Sequence, residues 1–308
     1  MKIAVLGPGG VGGLVAGALE RAGTAVTVVA RESTVETLTA RGLRVDSVGL
    51  GRFVVHPRAV PRLREPVDVL IVATKAAGLI PALERIDAAP TLVLPLLNGL
   101  DHLAMLRERF SSASVPAATI RVEADRPEPG VVVHTSPFLL VEMAYREPDA
   151  QERMQALAAS LSGAGVRARV RLPMSARSEA EVMWSKLVRL NALACTTSAF
   201  DRPLGEIRST PELRDELVGA IEESCAVARA EGALDADPAV ALGELTKAHE
   251  TLGSSMQRDI AAGRSPELDA IPGAVLRAAA RHGLECPTIE RLVASIAVRA
   301  GIPVPVVL

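Results

Sequence analysis

Aromatic side chains are scarce in this chain of 308 residues, which holds one Trp, one Tyr and four Phe. Base-stacking platforms are built from such rings, so their scarcity disfavours a nucleic-acid surface and leaves the cores to Val, Leu and Ala. Cysteine is rarer still. Cys195, Cys225 and Cys286 show neither close pairing nor metal-ligand spacing, which points to reduced thiols and no metal site. Neither sign of charge is in excess. There are 34 Lys and Arg against 36 Asp and Glu, a net of −2, and nothing favours nucleic acid or an anionic membrane. No apolar run reaches about 18 residues without a charge or a turn residue. The opening MKIAVLG is too short for a signal peptide or a membrane span. The expectation is a cytoplasmic protein with no membrane or nucleic-acid partner.

What is present is a hydrophobic fraction of 49%, enough for a large core, and a length that suits two domains. KIAVL (2–6) is apolar after its lysine, as a strand buried on both faces must be. Small residues at helical spacing follow over 11–22 and end at Gly23. AVTVVA (25–30) repeats the strand pattern. Residues 33–41 predict a helix capped by Ser33 or Thr34 and stopped by Gly42. Residues 43–57 predict a small hairpin around Gly49 and Gly51. Strands are expected at 67–74 and 91–97, with helices at 76–86 and 99–110. β-like segments follow at 115–120, 131–135 and 138–144, then a helix at 149–162 and a strand at 166–170. This alternation predicts an α/β fold with an open, mostly parallel sheet over residues 1–171. From residue 173 the period becomes helical, over 175–200, 211–232, 238–253, 274–282 and 287–300, with no convincing strand before the tail. Residues 172–308 are therefore expected to form an all-α domain. The boundary lies near RLPMSA (171–176), and a short junction implies a cleft suited to a ligand.

The first strand runs straight into GPGGVGG, where Gly7, Gly9 and Gly12 satisfy G-x-G-x-x-G at a strand-to-helix turn. Gly7 allows the tight turn, Gly9 the close approach of a pyrophosphate, and Gly12 the packing of helix on strand. The helix N-terminus supplies unpaired amides and a positive dipole end. Gly7, Gly9, Gly10, Val11 and Gly12 are thus candidate dinucleotide contacts on a Rossmann-like domain, the alternative being a plain glycine-rich turn. An NAD-selective strand usually ends in an acid for the ribose hydroxyls. Here Arg31 stands 19 residues beyond Gly12. A guanidinium can grip a 2′-phosphate and stack on adenine, which favours NADPH, although the adjacent Glu32 weakens the case. Lys75 and Asn98 both follow predicted strands at the carboxyl end, where open parallel sheets bind ligands. Asn98-Gly99 also fits a simple turn.

Taken in order, KIAVLGPGGVGG, Arg31 in VVARES, Lys75 in VATKAAG, Asn98 in LLNGLD, PEPGVVVHT, MWSKLVRLNALA, SSMQRDI and PELDAIPGAVLRAAARHGLECPTIERL resemble the ketopantoate reductases (2-dehydropantoate 2-reductases). The resemblance covers essentially the whole chain. It implies a Rossmann domain, a helical domain and hydride transfer from NADPH to a 2-keto acid, an NADP-dependent oxidoreduction at a CH–OH group. It matches Lys186 to the catalytic lysine and Glu267 to a substrate-binding acid in the catalytic pair. Ser255 matches a substrate-binding serine, and Lys75 and Asn98 match residues at the nicotinamide end, Asn98 also touching substrate. The chemistry is independently sensible, because hydride addition to a ketone leaves negative charge on oxygen that a cation or acid must meet. Lys186 sits in EVMWSKLVRL among apolar neighbours, where a lysine is costly unless it snorkels or serves a function. Glu267 follows Ser265-Pro266, a predicted helix start with Ser as cap. An acid there could equally serve the helix dipole.

The departures from the family pattern concern substrate. Members carry asparagines one and two turns beyond the lysine, where this chain has Leu190 and Ala194. Asn191 is displaced by about 100° around the helix. A further asparagine is replaced by Leu252, and the usual Asn-Gly after Glu267 is Pro272-Gly273. The leading expectation is reduction of ketopantoate to pantoate, within pantothenate and coenzyme A biosynthesis. The alternatives are a diverged member acting on another 2-keto acid or ketone, and an NADPH-binding sensor without catalysis. The five histidines show no ligand spacing, His134 reading as structural and Trp184 as a core anchor. The helical tail is compatible with a homodimer without demanding one.

Overall fold

The computed structural model describes residues 1–146, 150–172 and 175–307. Two compact units divide the chain, one made of Met1–Leu97 with His102–Val182, the other of Asn98–Asp101 with Met183–Leu308. The division falls inside a helix, between Val182 and Met183, whereas the residue pattern changes at 171/172. Residues 173 and 174 of the 171–176 stretch lie outside the described residues, as does residue 149 of the expected 149–162 helix.

The first unit runs β1 (Ile3–Leu6), α1 (Gly10–Arg21), β2 (Val26–Val29), α2 (Glu32–Arg41), β3 (Leu43–Ser47), β4 (Gly51–Val55), β5 (Arg58–Val60), β6 (Val69–Val72), α3 (Leu79–Leu83), β7 (Leu92–Pro95) and α4 (His102–Phe110). It continues with β8 (Ala117–Arg121), β9 (Ala124–Glu128), β10 (Val131–His134), β11 (Leu140–Ala144), α5 (Gln151–Gly163) and β12 (Arg167–Val170). Five strands form a wholly parallel sheet in the order β5-β2-β1-β6-β7. Successive side chains on a strand point to opposite faces, and both faces here are apolar. Ile3 and Val5 enter one core with Leu14, Leu19, Val28 and Ile71, while Ala4 and Leu6 enter another with Leu70, Leu79, Leu83 and Leu106. Unbroken apolar strands in the sequence are the direct consequence. The chain reverses its direction of growth at β1, so the loop after β1 sits at the topological switch point where such sheets take ligands. A mixed sheet β4-β3-β10-β9 and a three-stranded sheet β12-β11-β8 complete the unit.

Several expectations shift for local reasons. The 76–86 helix shrinks to a 3₁₀ turn at Ala76–Gly78 and the short α3. Pro81 has no amide to extend a helix backwards, and Ile86 instead bridges to Leu63. The 99–110 helix starts at His102, because Gly99 is left-handed at φ +86°. Neither Ser33 nor Thr34 caps α2, which starts at Glu32 with Arg31 in the capping position and no side-chain cap bond. β5 and β9 were not expected. β5 is only three residues long and opens on Arg58, and β9 is polar; each forms by pairing with an apolar neighbour, β2 and β10 respectively.

The helical unit takes up α6 (Ala176–Phe200) from Met183 onward and adds α7 (Leu204–Ser209), α8 (Pro211–Ala230), α9 (Pro238–Lys247), α10 (Ser255–Ala261), α11 (Ala274–Arg281) and α12 (Pro287–Ala300). Prolines open α8, α9 and α12, and the Asp237 carboxylate accepts the Ala239 amide at the start of α9. The expected 238–253 helix stops at Lys247, where Ala248 turns extended. Residues 302–307 have no regular structure. Among the described residues no helix is long and apolar enough to cross a membrane.

All three cysteines are buried and reduced. Burial raises the Cys195 thiol far above its ordinary range and pushes Cys225 to about 11 and Cys286 to about 12. Only the thiolate reacts, so the folded protein should give no rapid reaction with a disulfide reagent at pH 8 and three equivalents once denatured. Fast labelling of the native protein would contradict this packing.

Candidate active site

The loop after β1 is shaped by close approach. Gly7 is left-handed at φ +89°, and a Cβ there would stand 2.8 Å from Thr74 Cγ2. A Cβ at Gly12 would overlap the carbonyl oxygen of Gly7, and one at Gly10 the carbonyl oxygen of Ala124. At Gly9 a Cβ would meet nothing within 4 Å, so this glycine faces open space. α1 begins directly beyond it, with Gly9 as a cap that offers no side chain and with no acid in the first turn. The first amides of a helix have no intrahelical acceptor, so Gly10, Val11 and Gly12 present donors and a positive dipole end there. These features fit a pyrophosphate.

Arg31 closes β2 at the start of α2 and is exposed. The neighbouring Glu32 does not neutralise it. Arg85 takes that carboxylate through Nη1 at 3.0 Å and Nη2 at 3.3 Å and holds its pKa below the ordinary carboxylate range. Arg31 has no side-chain partner among the described residues, which suits an anionic ligand. Lys75 is exposed at the carboxyl end of β6, preceding the 3₁₀ turn. Another hollow, at the sheet edge between Thr27 and Glu65, includes none of these residues. Its Arg58 and Arg62 are already paired with Glu65 and Asp87.

The helical unit brings together three of the expected residues. Lys186 Nζ donates to Asn98 Oδ1 at 2.7 Å, and Asn98 Nδ2 donates to Glu267 Oε2 at 3.0 Å. One amide thus joins an ammonium to a carboxylate, and all three side chains are half-buried. α6 supplies Lys186 with its neighbours Met183, Trp184 and Leu187 buried, which fixes the helix face that carries it. The left-handed Gly99 lets the Asn98 turn lie flat on the segment after Glu267, since a Cβ there would overlap the carbonyl oxygen of Ala270.

The helix expected from Ser265-Pro266 is absent. The chain enters through a single π turn, Asp269–Gly273, that leads into α11. Pro272 explains it. Its ring has no amide and would press on the carbonyl four residues back, so the Leu268 carbonyl accepts instead from Gly273, five residues on, at 3.0 Å. Ser255 is exposed at the first position of α10. The cap is its neighbour Ser254, whose Oγ accepts the Gln257 amide and is met by Thr197 Oγ1 at 2.9 Å. Ser255 Oγ has no partner among the described residues. Asn191 points into the helical core, donating to Ser224 Oγ at 3.0 Å. His134 is locked between Ser47 and Ser136 and is buried, as its structural reading requires.

A wholly parallel sheet with a glycine loop at its switch point, followed by a helical unit bearing a lysine–amide–carboxylate chain, defines a two-domain oxidoreductase of the Rossmann-like class. Ketopantoate reductase PanE/ApbA matches residues 3–144 and its C-terminal counterpart matches residues 180–300. The chain belongs to the ketopantoate reductase family. It is 32% identical over 305 residues to an uncharacterized oxidoreductase, YkpB, of Bacillus subtilis, covering 96% of this chain and 98% of that one. It is 31% identical over 307 residues to the 2-dehydropantoate 2-reductase of Halobacterium salinarum, covering 95% and 96% respectively. The ternary structure of D-mandelate dehydrogenase with NADH and anilino(oxo)acetate superposes with a TM-score of 0.86 at 22% identity, over 98% of this chain and 99% of that one. At that identity the likeness speaks for the fold alone.

Gly99→Ala tests the contact that seats Asn98. The substitution combines an unfavourable φ with overlap on backbone and should cost at least about 2 kcal/mol of stability, read as a lower denaturant midpoint. An unchanged midpoint would contradict the packing described.

Proposed function

We propose that this protein reduces a 2-keto acid to a 2-hydroxy acid with NADPH, the acid being 2-dehydropantoate and the product pantoate. The hydrogen-bonded chain Lys186–Asn98–Glu267 carries the reading. When bound, the nicotinamide supplies the hydride that converts the carbonyl carbon to a carbinol. The amides of Gly10, Val11 and Gly12 hold the pyrophosphate, with Gly7 and Gly9 clearing space for it. Arg31 grips the 2′-phosphate, and Lys75 serves the same cofactor.

As the carbonyl carbon is reduced, charge develops on its oxygen. Lys186 meets that charge as an ammonium. An Nζ–H bond breaks, the proton goes to the oxygen, and the neutral amine recovers a proton from solvent. Asn98 holds the ammonium in place through its carbonyl oxygen. Glu267 takes the other end of the amide, so a flipped Asn98 would lose the carboxylate and set its NH₂ against the ammonium. Glu267 and Ser255 then bind polar groups of the substrate.

A second reading rests on α6. Leu190 and Ala194 follow Lys186 at one and two turns, and Asn191 is committed to Ser224. Amide partners for a substrate hydroxyl are therefore missing from this helix face, and a site lacking such a partner loses discrimination. A 2-keto acid with an apolar substituent suits that face.

Lys186→Ala should lower turnover at saturating NADPH by about a hundredfold or more. A loss below tenfold would remove Lys186 as the proton source. Arg31→Ala should erode the preference for NADPH over NADH by about tenfold, the worth of one charge-assisted contact. An unchanged ratio would end the 2′-phosphate assignment. A panel of 2-keto acids decides between the two substrate readings, ketopantoate leading in kcat/KM under the first and trailing an apolar homologue under the second.

A further inference from the structure

We propose that Arg277 is a positioning residue that locks the turn carrying Asn98 onto the turn following Glu267 and thereby sets the amide that holds Lys186. The inference rests on the function proposed above. Asn98 and Asp101 lie on one turn, Glu267 and Asp269 on the other, and Arg277 projects from α11 with its side chain 21% exposed. Its Nε and Nη2 donate to Asp101 Oδ2 at 3.2 and 2.6 Å. Its Nη1 donates to Asp269 Oδ1 at 2.8 Å and its Nη2 to the Asp269 carbonyl at 2.9 Å. Nη1 also reaches the carbonyl of Val306 in the tail, at 3.2 Å.

Two links therefore span the same pair of turns. One is the Asn98–Glu267 hydrogen bond of the site. The other is Asp101–Arg277–Asp269, outside it. The backbone is cut to suit. Gly99 lies against Ala270, and a Cβ at Gly273 would stand 3.3 Å from both Arg277 Nη1 and Asp269 Oδ1. A planar guanidinium can serve two carboxylates and two carbonyls in one fixed fork, which an ammonium cannot. Asp269 is 74% exposed, so solvent screens that pair and its contribution to global stability is small. The effect to look for is on alignment.

The sequence has two asparagines, Asn98 and Asn191. Protein labelled with ¹⁵N at asparagine thus shows two side-chain amides, assigned by loss of one in Asn98→Asp, with Asn191 as an internal reference against Ser224. In Arg277→Ala the Asn98 amide should shift and broaden while Asn191 stays, with Arg277→Lys intermediate. With the 2-keto acid that the wild type reduces best, kcat should fall between about tenfold and a hundredfold, and KM for NADPH should stay within about twofold because the glycine loop is untouched. Asp101→Ser should repeat both effects if Arg277→Ala does not fold. A folded Arg277→Ala protein with the wild-type Asn98 amide signals would overturn the proposal. So would a kcat that drops no further in Arg277→Ala than in Arg277→Lys. If the wild type reduces no 2-keto acid, the functional reading fails by itself, and the amide spectrum still decides the role of Arg277.

Discussion

The site depends on one side-chain amide having two different ends. Asn98 accepts from the Lys186 ammonium and donates to the Glu267 carboxylate, which an ionised carboxylate could not do for want of a proton and which a hydroxyl would have to do from a single oxygen. An amide held at both ends cannot turn over without losing both bonds, so the carboxylate beyond it fixes which end Asn98 offers to the lysine. Three stretches of chain are needed to build this: the end of the segment after β7, the middle of α6, and the residues leading into α11. Gly99 and Pro272 are the backbone devices that make them meet, one by allowing close approach and the other by forcing a π turn.

The first unit solves a separate problem. The inner strands of its parallel sheet, β1, β2 and β6, are sealed on both faces, which leaves their carboxyl ends as the place for polar work. Every glycine of the loop has a neighbour that forbids a side chain except Gly9, which opens outward. Arg85 occupies Glu32, so that the acid beside Arg31 does not cancel it. The salt bridge thus leaves the guanidinium of Arg31 next to an acid that is already paired.

Much of this was legible in the residues, for identifiable reasons. Ile3–Leu6, Val69–Val72 and Leu92–Pro95 read as buried strands because a strand sealed on both sides has no polar position. The glycine loop read as a dinucleotide turn because strand, spacing and helix agreed. β5 and β9 did not, since pairing with a partner strand, and not their own pattern, makes them strands. The π turn was hidden because Ser265-Pro266 imitates a helix start, while the deciding residue is Pro272. The three-residue chain was beyond any local pattern. Its members lie 88 and 169 residues apart in sequence, and resemblance alone named Lys186, Asn98 and Glu267 together. Nothing in the residue pattern distinguishes Arg277, one arginine among many in a helical stretch.

The central claim is that the ammonium at position 186, steadied by an amide, gives its proton to the reduced carbonyl oxygen. Chemical rescue tests it most directly. Small primary ammonium ions added to Lys186→Ala should restore NADPH oxidation with ketopantoate or its homologues in a saturable manner, more strongly the closer their pKa lies to the working pH. An inactive variant that no ammonium ion revives, in a protein that still folds and binds NADPH, would contradict the account.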